Sequence, residues 1–186
     1  MKQRQQLLIS QPTIVSKLVH LASDINALVT TNPDFEDAVC VPILQGAIPF
    51  FVDLTSYLCW NPVVDYVGTA LYEGTSRTTI NAYKMPKDNF VAGKCVFLFD
   101  DVLESGTTID FFTKTLYSMG AKEVVPVVLL KKKNSTYKQD PRITKMFVGF
   151  EIEDHWVFGY GMDDETGKGR TLKHILYYEP INEDKV

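Results

Sequence analysis

The sequence predicts an α/β fold in which helices flank a parallel, twisted β-sheet. Strand-like and helix-like patterns alternate between residues 37 and 130, an order typical of parallel sheets with helices on both faces. The segment 95–99 is uninterruptedly apolar, as in a strand that is covered on both faces. Ligands of such sheets bind at the carboxyl ends of the strands. The junction at residues 100–108 is therefore the first place to look for a functional site.

The individual elements follow from hydrophobic periodicity. Between Ile14 and Leu28, apolar side chains recur three and four residues apart, which predicts an amphipathic helix. The other predicted elements are, in chain order, a strand at 37–44, a helix at 47–60, a strand at 63–71, a strand at 95–99, a helix at 108–119, a strand at 123–130, and strands at 146–152 and 156–160. No repeat or linker interrupts the 186 residues, so one domain spanning 1–186 is expected.

Composition and charge restrict the class of protein. Hydrophobic residues make up 45% of the chain and charged residues 23%, a globular balance. The net charge of −4 disfavours a nucleic-acid partner, because such domains usually carry a basic surplus. No segment has the length of a membrane span or the apolar core of a secretory signal. Three unpaired cysteines, Cys40, Cys59 and Cys95, are expected to be buried thiols in a reducing compartment, and we expect a cytoplasmic protein.

An acidic pair closes the apolar segment, and small polar residues follow it. Asp100 and Asp101 end the strand, and beyond Glu104 the loop residues are Ser105, Gly106, Thr107 and Thr108. Backbone N–H groups at a helix N-terminus bind anions, and hydroxyls add donors to phosphate oxygens. Carboxylates beside a phosphate would repel it unless they bind ribose hydroxyls or a hard cation such as Mg²⁺. The alternative is that Ser105 or Thr107 only caps the helix. That alternative leaves two carboxylates at a buried strand end unexplained.

Residues 96–108 resemble the phosphoribosyl-pyrophosphate signature of the type I phosphoribosyltransferases. The signature has four apolar residues, two acids, two apolar residues, an acid, Ser or Thr, Gly, any residue and Thr. From about residue 37 to 178 the chain is similar to the hypoxanthine-guanine branch of that family. The resemblance implies that family's fold, with a mobile lid at about 70–80 and a small base-binding hood, built from the chain ends, at about 145–178. It also implies a homodimer or homotetramer that salvages purines.

The same resemblance implies which residues meet pyrophosphate. Gln45 and Gly46 are similar to the family's first loop, whose peptide before the glycine is cis and binds pyrophosphate; Gln45 replaces a common lysine. The alternative there is a plain strand-to-helix turn. In the lid, Tyr72 matches the family, whereas Leu71 replaces a serine. Arg170 resembles an arginine that contacts pyrophosphate, although one extra residue separates it from the preceding acid.

Residues for the purine and the metal are implied in the same way. Trp156 would stack on the purine and the backbone of Val157 would read its edge, although without the family a tryptophan is more often a core residue. Lys132, or Lys131 in another register, would donate to the exocyclic oxygen of a 6-oxopurine, which favours hypoxanthine and guanine over adenine. The implied Mg²⁺ ligands are Asp100, Asp101 and Asp163.

Glu104 is the implied catalytic base, at a position where the family usually has aspartate. The additional methylene moves the carboxylate by about 1 Å, and a displacement of that size can cost about 10²-fold in rate. We expect activity to be retained, because the positions for metal, phosphate and purine are all present. The alternatives are a regulatory RNA- or DNA-binding protein of the same fold, and a transferase that prefers xanthine or adenine. The sequence does not rank hypoxanthine, guanine and xanthine.

Overall fold

The computed structural model describes residues 3–73, 78–87 and 89–180. Its main sheet has the strand order β5-β4-β2-β6-β7-β8, with β3 beside β2. All of these pairs are parallel except β4–β5. The strands are β1 (Gln3–Ile9), β2 (Val39–Leu44), β3 (Val63–Val64), β4 (Val67–Glu73), β5 (Thr78–Lys84), β6 (Cys95–Leu103), β7 (Glu123–Lys132), β8 (Phe147–Ile152), β9 (Val157–Phe158) and β10 (Ile175–Pro180). The helices are α1 (Gln11–Thr31), α2 (Ile48–Thr55) and α3 (Thr107–Ser118). This arrangement confirms the predicted fold class.

Two separate cores cover the two faces of the main sheet. Side chains alternate between the faces of a strand, so Val41 and Leu98 pack with α3 on one face. Cys40 and Phe97 point the opposite way and pack with α1 and α2. Both faces of the central strands are therefore buried, and their carboxyl ends remain available for a binding site.

The two chain ends form a second, antiparallel sheet with the order β1-β10-β9. The predicted hood at 145–178 is wrong in its first part, because β8 pairs in parallel with β7 and extends the main sheet. The strands β1 and β10 were not predicted, since neither shows a clear alternation of polar and apolar residues. Ile9 and Ile175 are buried in the same core as α1, so the hood sheet packs directly on the main body.

Several predicted boundaries differ from the observed ones. Strand β6 continues to Leu103, so the acid pair lies within a strand and not in a loop. Helix α2 ends at Thr55, the predicted strand at 63–71 is divided into β3 and β4, and β5 was missed inside a polar tract. Cys59 is exposed, which corrects the expectation that all three thiols are buried. Within the described parts of the chain, no helix combines the length and apolar character that crossing a membrane requires.

The predicted lid at 70–80 is described only in part. Its backbone forms the facing ends of β4 and β5, where Tyr72 lies opposite Thr79. Residues 74–77, and the side chains of 70–79, lie outside the described residues. The contacts predicted for the Tyr72 side chain therefore remain a prediction.

Candidate active site

A cavity of about 460 Å³ opens at the carboxyl ends of β2 and β6. Most of the residues predicted to meet pyrophosphate, ribose or metal line it. These residues are Gln45, Gly46, Asp100, Asp101, Thr108, Asp163 and Arg170. Thr69 of β4 and Tyr83 of β5 also line the cavity. No sequence pattern pointed to these two residues, because only the pairing of β4 with β2 and β5 brings them there.

The acid pair lies near the end of β6, where Asp100 is buried and Asp101 is half-buried. The Asp100 carboxylate accepts a hydrogen bond from the Asp101 N–H at 3.1 Å, and the Asp101 carboxylate accepts one from the Val102 N–H at 2.9 Å. Burial raises the pKa of Asp100 well above its ordinary value, and the negative charge of Asp101 raises that pKa further. Burial also raises the pKa of Asp101. Neither carboxylate forms an ion pair with a described side chain, so the two charges lower the stability of the ligand-free protein. Such an arrangement is typical of a binding site.

Asp100→Asn is expected to raise the melting temperature at neutral pH. A carboxyl with a higher pKa in the folded than in the unfolded protein binds its proton more tightly when folded. Stability is therefore greatest at low pH and falls as the pH rises from 3.8 through the folded pKa. The uncharged amide removes that loss. A gain of about 1 kcal/mol corresponds to about 2–4 °C in a chain of this size.

Thermal unfolding of both proteins at about pH 4.5 and about pH 7 tests this expectation. The difference between Asp100→Asn and the wild type should be larger at the higher pH. Asp24→Asn, at an exposed position of α1, is the matched control and should change little at either pH. Equal melting temperatures of wild type and Asp100→Asn at about pH 7 would contradict the destabilising role of the buried charge.

Gly46 lets the loop after β2 approach the acid pair. A Cβ at this position would overlap the Asp101 Oδ2 atom, so only glycine fits. This steric demand supports a special role over a plain turn. The Leu44–Gln45 peptide bond is cis. The cis bond was predicted directly before Gly46, and the structure has it one bond earlier.

The loop at residues 105–108, called the hydroxyl loop below, borders a second hollow of about 360 Å³ at the start of α3. Gly106 is the N-cap residue of α3 and has no side chain with which to cap the helix. The Ser105 hydroxyl accepts a long hydrogen bond, 3.4 Å, from the Thr107 N–H at the first position of α3, so a capping contribution of Ser105 remains alongside the proposed anion-binding role. The hydroxyls of Ser105 and Thr107 lie 2.8 Å apart. Two residues that were not predicted, Tyr137 and Lys138, line the hollow from the loop after β7. This region can bind an anion through backbone N–H groups, hydroxyls and a nearby ammonium.

Lys132 is the lysine that lies at the site. Its side chain is only 7% exposed, and its Nζ atom lies 3.1 Å from Glu104 Oε2 and 2.8 Å from Asp154 Oδ1. Burial alone would lower the pKa of Lys132, but hydrogen bonds to the two carboxylates outweigh it and raise the pKa. Lys131 is paired instead with Glu151 at 3.7 Å. Of the two lysines that the sequence left open, Lys132 is the one that contacts Glu104, and its role toward a purine remains a prediction.

Trp156 presents its indole to solvent and is 60% exposed, so the core interpretation is wrong. The next residue, Val157, is buried and pairs with Tyr177 of β10. His155 stacks on the Tyr177 ring with centroids 4.2 Å apart. The hood sheet thus holds this segment in place while the indole remains available to a ligand.

Asp163 and Arg170 contact each other at the mouth of the larger cavity. The Arg170 Nη2 atom lies 2.7 Å from Asp163 Oδ2, and Nη1 donates to the Gly161 carbonyl at 2.8 Å. Across residues 3–73, 78–87 and 89–180, no group of three or more His, Cys, Asp or Glu side chains could hold a metal ion. The three predicted metal ligands therefore line one cavity but do not form a closed metal site by themselves.

These features surround the carboxyl ends of parallel strands, where ligands of α/β enzymes bind. Residues 5–165 match the sequence model described as phosphoribosyl transferase domain, which is most of the chain, and the chain belongs to that family. It is a phosphoribosyltransferase.

Within that family, the relatives are hypoxanthine-guanine phosphoribosyltransferases. The protein of that name from Bacillus subtilis (strain 168) is 29% identical over 180 residues, which cover 95% of this chain and 94% of the relative. The one from Staphylococcus aureus (strain Mu50) is 30% identical over 146 residues, 77% of this chain and 79% of the relative. A solved structure of a hypoxanthine phosphoribosyltransferase from Staphylococcus aureus superposes with a TM-score of 0.80 at 26% identity, covering 94% of this chain and 91% of that one. The predicted resemblance to the hypoxanthine-guanine branch is confirmed.

Proposed function

We propose that this enzyme transfers the 5-phosphoribosyl group from phosphoribosyl pyrophosphate to hypoxanthine or guanine, giving IMP or GMP and pyrophosphate. The observation that carries the proposal is the buried ammonium of Lys132 beside the Glu104 carboxylate. An ammonium only donates hydrogen bonds, so it suits the 6-oxo group of these purines and not the 6-amino group of adenine. Trp156, two residues after Asp154, supplies an exposed ring on which a purine can stack.

The remaining parts of the donor substrate have matching surfaces. The loop from Ser105 to Thr108, at the N-terminus of α3, suits the 5′-phosphate. Asp100 and Asp101 suit the ribose hydroxyls, and the polar end of the larger cavity, with Gln45, Gly46 and Arg170, suits pyrophosphate. Tyr72 of the lid would cover the bound substrates. Exclusion of water protects a reactive sugar cation from hydrolysis.

The chemistry of the cavity fits Mg²⁺. The buried Asp100 and the half-buried Asp101 have no ion-pair partner among the described side chains, and Asp163 lines the same cavity. Mg²⁺ is usually held by one or two carboxylates together with substrate phosphates, and not by a cage of protein ligands alone. These three aspartates would hold the ion with the donor substrate. When bound, it would stabilise the negative charge of departing pyrophosphate.

In the proposed reaction, a ring nitrogen of the purine forms a bond to the anomeric carbon of ribose while the bond from that carbon to pyrophosphate breaks. The electron pair of the broken bond leaves with pyrophosphate, and the purine loses a ring proton. Glu104 is the base that accepts this proton. Its carboxylate lies 3.1 Å from the Lys132 Nζ atom, which holds it beside the proposed purine site.

Other parts of the prediction also belong to the proposal. We treat the chain as one domain that assembles as a homodimer or homotetramer, acts in the cytoplasm and has neither nucleic acid nor membrane as a partner. The three free thiols, Cys40, Cys59 and Cys95, support a reducing compartment. The low basic content supports a small-molecule enzyme over a nucleic-acid-binding regulator.

Nucleotide formation by the pure protein tests the proposal. Phosphoribosyl pyrophosphate and Mg²⁺ are offered with hypoxanthine, guanine, xanthine or adenine separately, and the product is identified by its absorbance and chromatographic retention. We expect conversion of hypoxanthine or guanine and little of adenine. Preferential conversion of adenine would contradict the role of Lys132. Binding of phosphoribosyl pyrophosphate without conversion of any base, together with salt-dependent RNA binding, would indicate a regulatory protein instead.

A further inference from the structure

Asp154 lies next to Lys132 but was not among the predicted site residues. We propose that Asp154, which is hydrogen-bonded to Asn134, is a positioning residue that orients the Lys132 ammonium. This orientation sets the preference for 6-oxopurines over 6-aminopurines. The inference rests on the proposed function, since it concerns the same purine site. It adds a specificity determinant that does not itself need to touch the purine.

Both oxygens of the Asp154 carboxylate are engaged. Oδ1 accepts a hydrogen bond from Lys132 Nζ at 2.8 Å, and Oδ2 accepts one from Asn134 Nδ2 at 2.7 Å. A carboxylate that is held at both oxygens cannot rotate freely, so it presents a fixed acceptor to the lysine. Lys132 is the last residue of β7 and Asn134 lies in the turn directly after it, so a single short segment supplies both contacts.

The number of donors on the ammonium explains why orientation matters. A lysine ammonium carries three N–H donors. The Asp154 carboxylate engages one of them at 2.8 Å, and the Glu104 carboxylate, 3.1 Å from the nitrogen, attracts a second. One donor then remains for the purine oxygen, and its direction is determined by the other two. Without Asp154, the flexible lysine would be attracted to Glu104 alone, and its remaining N–H donors would no longer point at the purine oxygen.

The position of Asp154 in the chain links the lysine to the purine platform. Asp154 lies in the turn between β8 and β9, two residues before Trp156. Its contact with Lys132 therefore ties the segment that carries the indole to the carboxyl end of β7. Displacement of either residue would move the Lys132 donor for the purine edge relative to the ring that stacks on the purine face.

The chain offers a matched control one residue away. Lys133 and Glu153 form a second ion pair between the same two segments of the chain. Both of its side chains are exposed, and it does not involve Lys132. Glu153→Gln removes one negative charge from the same turn, as Asp154→Asn does. The two variants therefore have the same net charge and differ in whether the lysine of the site loses its partner.

Steady-state kinetics of these variants test the inference. Asp154→Asn is expected to raise KM for hypoxanthine about tenfold or more, because a hydrogen bond between charged groups is lost. KM for phosphoribosyl pyrophosphate should remain unchanged, and the ratio of kcat/KM for hypoxanthine over adenine should fall by a similar factor. Asn134→Ala should change the same ratio in the same direction by a smaller factor. Glu153→Gln should leave all of these values as in the wild type.

Binding of IMP and AMP, measured by calorimetry, gives a readout that does not need turnover. Asp154→Asn should weaken binding of IMP about tenfold and leave that of AMP nearly unchanged. The inference is overturned if Asp154→Asn behaves like Glu153→Gln, or if IMP and AMP weaken equally. A wild type that converts no purine, yet loses IMP affinity in Asp154→Asn, would refute the proposed function and keep the positioning role of Asp154.

Discussion

Glu104→Gln is expected to lower kcat for the conversion of hypoxanthine by about 10²–10⁴-fold, the range typical of losing a general base. The amide has nearly the same size as the carboxylate but cannot accept a proton. It also loses the charge that pairs with Lys132 at 3.1 Å. Binding of phosphoribosyl pyrophosphate should change little, because its predicted contacts lie on the acid pair, the hydroxyl loop and the larger cavity.

Glu151→Gln is the matched control for this variant. Glu104 and Glu151 have nearly equal side-chain exposure, 61% and 62%, and each faces a lysine at the end of β7. Glu151→Gln should retain the wild-type kcat. Glu104→Asp keeps a carboxylate on a shorter stem and should retain more activity than Glu104→Gln. A wild-type kcat in Glu104→Gln would exclude this residue as the base.

Gly106→Ala is expected to lower kcat/KM for phosphoribosyl pyrophosphate by about 10²-fold, since displacement of a binding loop by about 1 Å can have that effect. Two causes act together. Gly106 has a φ of 72°, a left-handed conformation that costs an L-residue about 1–2 kcal/mol. A Cβ there would also overlap the ring of Tyr137, so the loop that starts α3 must shift. KM for the purine should remain close to the wild-type value.

Gly93→Ala separates the two causes. Gly93 has a φ of 73°, but a Cβ at this position would meet nothing within 4 Å. This variant should therefore lose about 1–2 kcal/mol of stability, measured by denaturant unfolding, with unchanged kinetics. Adding Tyr137→Ala to Gly106→Ala should recover part of the activity if the overlap is the main cause. Equal values of KM for phosphoribosyl pyrophosphate in Gly106→Ala and Gly93→Ala would show that the hydroxyl loop does not bind the donor substrate.

The α/β class and the location of the cavity could be predicted because the signals are local. An uninterrupted apolar run marks a strand that is buried on both faces, and its last residues must lie at a sheet edge. Asp100 and Asp101 were therefore placed correctly, although β6 extends beyond them. The resemblance to a known family added the roles of residues far apart in the sequence, such as Gln45 and Arg170, which the structure brings into one cavity.

The hood could not be predicted in the same way. Strands β1 and β10 lie at opposite ends of the chain, and their partly exposed residues follow no clear alternation. Each becomes a strand only because the other supplies its hydrogen-bond partners. By contrast, β8 looked like part of the hood until its parallel pairing with β7 assigned it to the main sheet.

By itself, the sequence determined the α/β class, the acid pair and the glycine-containing loop, because each depends on residues that are neighbours along the chain. Only the tertiary structure showed that Lys132, and not Lys131, contacts both Glu104 and Asp154. Adjacent residues of a strand point to opposite sides, so the choice between two lysines depends on which side the neighbouring strand and turn cover. Electrostatic contacts such as Lys132 with Glu104 and Asp154 join segments 28 and 22 residues away, and no local pattern records them.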